Sequence, residues 1–72
     1  MIPEKIETFE RRFGNIAVAL GFINSKILAD ALKIQVQDEI EKNKRRLIGQ
    51  ILFEQGIMST DQINVVLTEL YR

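Results

Sequence analysis

Phe13-Gly14-Asn15-Ile16-Ala17-Val18-Ala19-Leu20-Gly21-Phe22-Ile23-Asn24-Ser25 returns 35 residues later as Ile48-Gly49-Gln50-Ile51-Leu52-Phe53-Glu54-Gln55-Gly56-Ile57-Met58-Ser59-Thr60. Each copy holds two glycines seven positions apart, an apolar stretch between them, then an apolar pair and a small polar residue. The correspondence continues downstream, pairing Leu28 with Ile63, Ala31 with Val66 and Leu32 with Leu67. An internal repeat decides architecture before any local propensity does. Two copies are too few for an open solenoid, so the units must bury their apolar faces against each other.

Within each copy the spacing predicts a short helix, a turn and a longer helix. Gly21 and Gly56 stand where a left-handed residue closes a helix. Asn24 or Ser25 is placed to cap the next helix in the first copy, and Ser59 does so in the second. Ser59-Thr60-Asp61-Gln62 has the capping-box pattern, with Gln62 able to reach back to the N–H of Ser59. Ile27, Leu28, Ala31, Leu32 and Ile34 give the first long helix its apolar face, which Val36 and Ile40 extend. That helix is expected to fray within Glu41-Lys42-Asn43-Lys44. In the second copy Leu47, Ile48, Ile51 and Leu52 share one face, and Ile63, Val66, Leu67 and Leu70 form the buried stripe. Upstream, Pro3 suits a first helical turn, and Ile2, Ile6, Phe9 and Phe13 recur at helical spacing. Gly14 weakens that helix without having to end it.

No segment alternates with the period of a strand. The expected fold is all-α: two duplicated helix-turn-helix units, about four to five helices in all, plus an N-terminal helix. We divide the chain as one domain, 1–72, with an N-terminal helix over 1–11 and a first repeat over 12–35. A helix extension and polar linker follow over 36–46, then a second repeat over 47–70. Phe9, Phe13, Phe22 and Phe53 sit on apolar stripes and are expected in the core. Arg12 and Gln35 are expected on the solvated surface.

Composition works by exclusion. Seventy-two residues make one small domain. With no cysteine there is neither a disulfide framework nor a zinc-thiolate site. With no histidine, the commonest general base and transition-metal ligand are missing. Ten basic residues balance ten acidic ones, so no net field draws the chain to nucleic acid or anionic lipid. The longest apolar run, Ile16 to Ile23, is too short to cross a membrane. These features point to a cytoplasmic protein that is not an enzyme and needs no cofactor, and they give no reason to expect membrane insertion. At 46% hydrophobic residues, the chain has apolar surface left for a partner.

From Arg12 to Gln35 the chain follows the pattern R-[L/F]-G-x-x-[L/A]-x-x-x-G-x-I-x-x-x-x-L-x-x-x-L-x-x-Q, carried by Arg12, Phe13, Gly14, Ala17, Gly21, Ile23, Leu28, Leu32 and Gln35. This resembles the N-terminal domain of type II secretion and type IV pilus assembly ATPases, in particular the MshE-type cyclic-di-GMP-binding module, which carries two such motifs. The resemblance covers about residues 12 to 70 and implies a bacterial setting. It also implies that the Arg, the Gly and apolar positions, and the terminal Gln face a bound cyclic-di-GMP. Phe13 and Ala17 stand where the family has leucines. Registered on Gly49 and Gly56, the second copy puts Leu47 at the Arg position and Leu70 at the Gln position. Arg46 comes one residue early, where a helix would turn it about 100° away from the required face. The spacer from Val36 to Arg46 is also longer than the resemblance implies.

The candidate ligand residues are therefore Arg12, Phe13, Gly14, Gly21 and Gln35, with Arg46, Gly49 and Gly56 as a degenerate second half. Three functional classes compete. A protein-docking module, its partner another protein or a second copy in a homodimer, requires exposed apolar surface. A cyclic-di-GMP sensor requires the Arg and Gln sites. A DNA-binding helix-turn-helix would read bases from Ser25–Gln35 with only Lys26, Asp30, Lys33 and Gln35, a thin set on a chain without net positive charge. Lys42-Asn43-Lys44-Arg45-Arg46 is a compact basic run, flanked by Asp38, Glu39 and Glu41, which are placed to pair with it.

Overall fold

A computed structural model describes residues 4–72, with side chains from Thr8 onward. The expectations placed on Ile2, Pro3 and the side chain of Ile6 lie outside the described residues. The described chain folds into four helices: α1 (Glu4–Ala19), α2 (Ser25–Lys42), α3 (Ile48–Glu54) and α4 (Thr60–Leu70). It contains no strands among those residues.

The repeat sets the local structure atom by atom. After α1, Gly21 has φ 79°, and after α3, Gly56 has φ 73°. In the first turn Phe22 N–H donates to the Ala17 carbonyl and Gly21 N–H to the Val18 carbonyl, both at 3.0 Å. In the second, Ile57 N–H reaches the Leu52 carbonyl at 2.9 Å and Gly56 N–H the Phe53 carbonyl at 3.0 Å. Both are Schellman closures, in which a left-handed residue lets the chain satisfy the last helical carbonyls. The caps that follow also correspond. Asn24 Oδ1 accepts from Ile27 N–H at 2.8 Å. Ser59 Oγ accepts from Gln62 N–H at 3.1 Å while Gln62 Oε1 accepts from Ser59 N–H at 2.9 Å, completing the capping box.

Packing obeys the same register. Phe13 and Ile48, Ala17 and Leu52, Ile23 and Met58, and Ala31 and Val66 are repeat-related pairs, and all eight side chains are buried. α1 packs on α4, α2 on α3, and α1 on α3. Exchanging α1–α2 with α3–α4 maps the α1–α4 pairing onto α2–α3 and keeps α1–α3, but α1 also packs on α2 while α3 and α4 make no comparable contact, so the two units are only partly equivalent. Gly14 and Gly49 allow the close approaches. A Cβ on Gly14 would lie 2.8 Å from Leu28 Cδ1, and one on Gly49 would lie 3.0 Å from Phe13 Cζ.

Several expectations need correction. The N-terminal helix does not stop at residue 11: α1 runs on through Gly14 to Ala19, with Leu28 of α2 packed against Gly14 and Phe13 and Ala17 buried on either side of it in the core. Leu47 does not share the helical face of Ile48 and Ile51. It is the extended N-cap residue of α3, nearly half exposed. Phe53 is 52% exposed, since the seven residues of α3 turn only Ile48, Ile51 and Leu52 inward. On α2 the apolar row leaves the core as it advances: Leu32 is 42%, Val36 50% and Ile40 78% exposed. Residues four apart on an α-helix drift by about 40° per step, so a row spaced by fours rotates away from a fixed neighbour. α2 ends cleanly at Lys42, where Asn43 takes a left-handed conformation with φ 50°.

Candidate functional site

The sequence-predicted site residues take structural bonds, and they do so crosswise. Arg12 Nη2 donates at 3.3 Å to the carbonyl of Leu70, in the last turn of α4, where a cation is favourable to the helix dipole. Gln35 is not a surface residue: it is only 4% exposed, and its Nε2 donates to Glu10 Oε1 at 2.8 Å and to the Arg46 carbonyl at 2.9 Å. The first repeat's Arg-position residue, Arg12, thus meets Leu70 at the second repeat's Gln position, while Gln35 meets Arg46, one residue before the second repeat's Arg position at Leu47. Leu70 is the counterpart of Gln35, and both are buried. Glu10 and Arg12, two residues apart on α1, point about 200° away from each other. Arg12 and Gln35 therefore engage different flanks of that helix and are not brought together.

Arg46 is not on a helix at all but in the segment before α3. Its Nε lies 2.7 Å and its Nη2 2.6 Å from Asp38 Oδ2, and its Nη1 lies 2.6 Å from Glu54 Oε2. This fork ties α2 to α3. The hydrogen bond from Arg46, opposed by burial and reinforced by the charges of Arg46 and Lys42, holds the Asp38 carboxyl below its ordinary value of 3.8. The same carboxylates raise the Arg46 guanidinium above its ordinary value. Lys42 adds a contact of 3.6 Å to Asp38, and Arg45 one of 3.5 Å to Glu39. The basic run is thus largely neutralised by the acidic residues beside it. Of the glycines and Phe13, Gly14 and Gly49 serve close packing, Gly21 and Gly56 serve turns, and Phe13 is core.

The residue that sequence reading missed is Glu10. It is 3% exposed, and its Oε1 accepts from both Gln35 Nε2 and the backbone N–H of Ile48, the latter at 3.0 Å. Ile48 opens α3, and Leu47 has no side chain able to cap it. A carboxylate from α1, 38 residues away, supplies the cap instead, with the charge that a helix N-terminus favours. Glu10 Oε2 is buried without a partner. The signal for this cluster was present: Glu10 falls on the stripe of Phe13 and Ala17, and Gln35 and Asp38 continue the stripe of Ala31. Polar residues on an inward stripe announce buried hydrogen bonding.

Two clefts flank this centre. One, of about 400 Å³, lies between α1 and α2 and is bordered by Glu10, Arg11, Leu28, Leu32, Gln35 and Arg45 among others. The second, of about 310 Å³, is formed by Phe9, Phe13, Leu47, Phe53, Ile63 and Leu67 over Gly49. Phe9 stacks on Phe13 and leans on Tyr71, with ring centroids 6.4 Å apart in both pairs. Among the residues named as base readers, Lys26 pairs with Asp30 at 3.4 Å and Gln35 is buried. Among the described residues no acidic, histidine or cysteine cluster could hold a metal, and no helix is long and apolar enough to cross a membrane. Comparison of the chain with protein-family models, curated proteins and solved structures finds no match.

Proposed function

We propose that this chain is a cytoplasmic, non-enzymatic helical module that docks onto another protein, a relative of the secretion-ATPase N-terminal domain. The observation that supports this is the apolar surface the core leaves outside. Leu32, Val36 and Ile40 form a ridge along α2, and Leu47, Phe53 and Tyr71 cluster around the Phe9–Phe13 groove. Large aliphatic and aromatic side chains grouped on a surface are what partner interfaces use as anchors. The carboxylates that border the clefts, Glu10 and Glu39, are already bonded, Glu10 to Gln35 and the Ile48 N–H and Glu39 to Arg45.

A second reading, a cyclic-di-GMP sensor, draws on Leu28, Leu32 and Gln35 bordering one cleft. Against it stand the separate engagements of Arg12 and Gln35. An amide-shift titration with cyclic-di-GMP, with GTP as control, separates the two. The docking reading expects no saturable shifts at millimolar nucleotide. Specific, saturable shifts at Arg12, Gly14, Gly21 and Gln35, lost in Arg12→Ala, would replace it with the sensor. Photo-crosslinkers placed at Phe53 and Ile40 in cells should give a discrete protein adduct.

A further inference from the structure

The second repeat has no core of its own. α3 and α4 pack on α1 and α2, and make no comparable contact with each other. Their buried side chains, Ile48, Ile51, Leu52, Val66 and Leu70, belong to one core shared with Phe13, Ala17 and Ala31 of the first repeat. The helix ends are served from the first repeat as well: Glu10 accepts from the Ile48 N–H that opens α3, and Arg12 donates to the Leu70 carbonyl that closes α4. A single short connection, residues 43–47, joins the two repeats. Asn43 turns the chain there with a left-handed backbone, φ 50°, where any residue with a Cβ is at a disadvantage. Lys44, Arg45, Arg46 and Leu47 are good helix formers held outside a helix. What holds this bend is local: the N–H groups of Asn43 and Lys44 donate to the Asp38 carbonyl, and the Arg46 guanidinium grips the Asp38 carboxylate.

We infer that the face of α1 and α2 accepts α3 and α4 of a second copy, so that the chain dimerises by exchanging its second repeats. The occupant follows from identity. A second copy's α3 and α4 bring the same Ile48 N–H to Glu10, the same Leu70 carbonyl to Arg12 and the same apolar side chains to Phe13 and Ala31. Every contact outside the bend is kept, so the closed and exchanged forms differ only at residues 43–47 and in concentration. The short connection presents the second repeat to its own partner at an effective concentration of about millimolar, which keeps the closed form ahead in dilute solution. The left-handed Asn43 in each hinge works the other way. In the exchanged dimer both clefts belong to two chains. Ile48 of one copy borders Leu28 and Arg11 of the other, and Phe53 and Ile63 of one copy lie over Phe9 and Phe13 of the other. This goes beyond the docking reading and does not depend on it.

Complementation between two defective chains tests this. Ala17 and Leu52 are repeat-related and completely buried. Ala17→Asp therefore disables any unit built with its first repeat, and Leu52→Asp any unit built with its second. Each variant alone should be unfolded by amide spectrum and circular dichroism. An equimolar mixture, refolded together from urea at millimolar chain, should recover about half the parent's helical signal at the mass of two chains, because exchange makes one sound unit and one carrying both aspartates. Chains that pair while each stays closed cannot do this. A mixture as unfolded as its components overturns the assignment. The parent refolded at millimolar chain should also contain dimer by light scattering, and refolded at micromolar chain should be monomer. Asparagine tolerates a left-handed backbone better than alanine, so Asn43→Ala should raise the dimerisation constant by about 25-fold, about fivefold for each of two hinges. Parent and Asn43→Ala chains that both stay monomeric at millimolar concentration overturn the assignment. So does a parent dimer whose defective variants fail to complement, which would give the contact to an exposed face such as Val36 and Ile40. The docking reading stands or falls separately, on the nucleotide titration and the crosslinks.

Discussion

Removing Glu10 tests whether the fold depends on a cap supplied from a distant helix. In Glu10→Ala, the Ile48 N–H loses its acceptor and the Gln35 amide loses one of its two. Each buried donor left unpaired costs about 1–3 kcal/mol, and some relaxation or water entry reduces the sum to about 3 kcal/mol. A 72-residue domain has a total stability of about 4–11 kcal/mol, so this is a large share of it. At about 4–8 °C per kcal/mol for a domain this small, the melting temperature should fall by about 12–24 °C. Glu10→Gln is the discriminating control. It keeps the Oε1 acceptor but places amide N–H donors where Oε2 has no partner, so it should cost about 1–2 kcal/mol, clearly less than Ala. Urea unfolding followed by circular dichroism, with unchanged slope, measures both. An Ala variant within about 0.5 kcal/mol of the parent, or a Gln variant as damaging as Ala, would refute the account of Glu10 as the cap of α3.

Other outcomes follow from the same contacts. Gly49→Ala should destabilise by about 1–3 kcal/mol, because its Cβ meets the buried ring of Phe13 at 3.0 Å. Gly14→Ala should be milder in the same melt, since the atoms it meets are terminal methyls of a half-buried Leu28 and mid-helix alanine gains about 1 kcal/mol over glycine. Gly21→Ala and Gly56→Ala meet no neighbour, yet each should lose about 1–2 kcal/mol to the left-handed backbone, and losses below about 0.3 kcal/mol would count against the two turns being equivalent. The lowered Asp38 carboxyl ties stability to acid. Its contribution is complete above the ordinary value of 3.8 and disappears as pH falls through the depressed folded value. Unfolding curves of parent and Asp38→Asn should therefore converge in that acidic window and stay apart at neutral pH.

How far the residues alone announced this molecule differs between its levels. The turns and caps were legible because they are local: Gly21 and Gly56, Asn24 and Ser59 act on groups within five residues of themselves. The core was legible in part where both copies agreed: Ile23 with Met58 and Ala31 with Val66 are buried, but Leu32, paired with Leu67, and Phe53, paired with Val18, are exposed, because two units this small cannot cover every apolar position. The site was not legible. Arg12, Gln35 and Arg46 were singled out by a motif, which records residue types in order and is silent on which backbone groups other elements leave unpaired.

The sequence by itself determined the all-helical class, the glycine turns with their caps and the 35-residue recurrence, because hydrogen bonding over one helical turn and a repeated pattern need no distant partner. The end of the first helix and the start of the third did not follow from it. Only the tertiary structure decided what the polar residues do. Packing α1 against α3 brought the N–H of Ile48 to Glu10, and packing α2 against α3 brought Asp38 to Arg46. A buried donor must take whatever acceptor its neighbours bring, and that choice exists only after the helices have met.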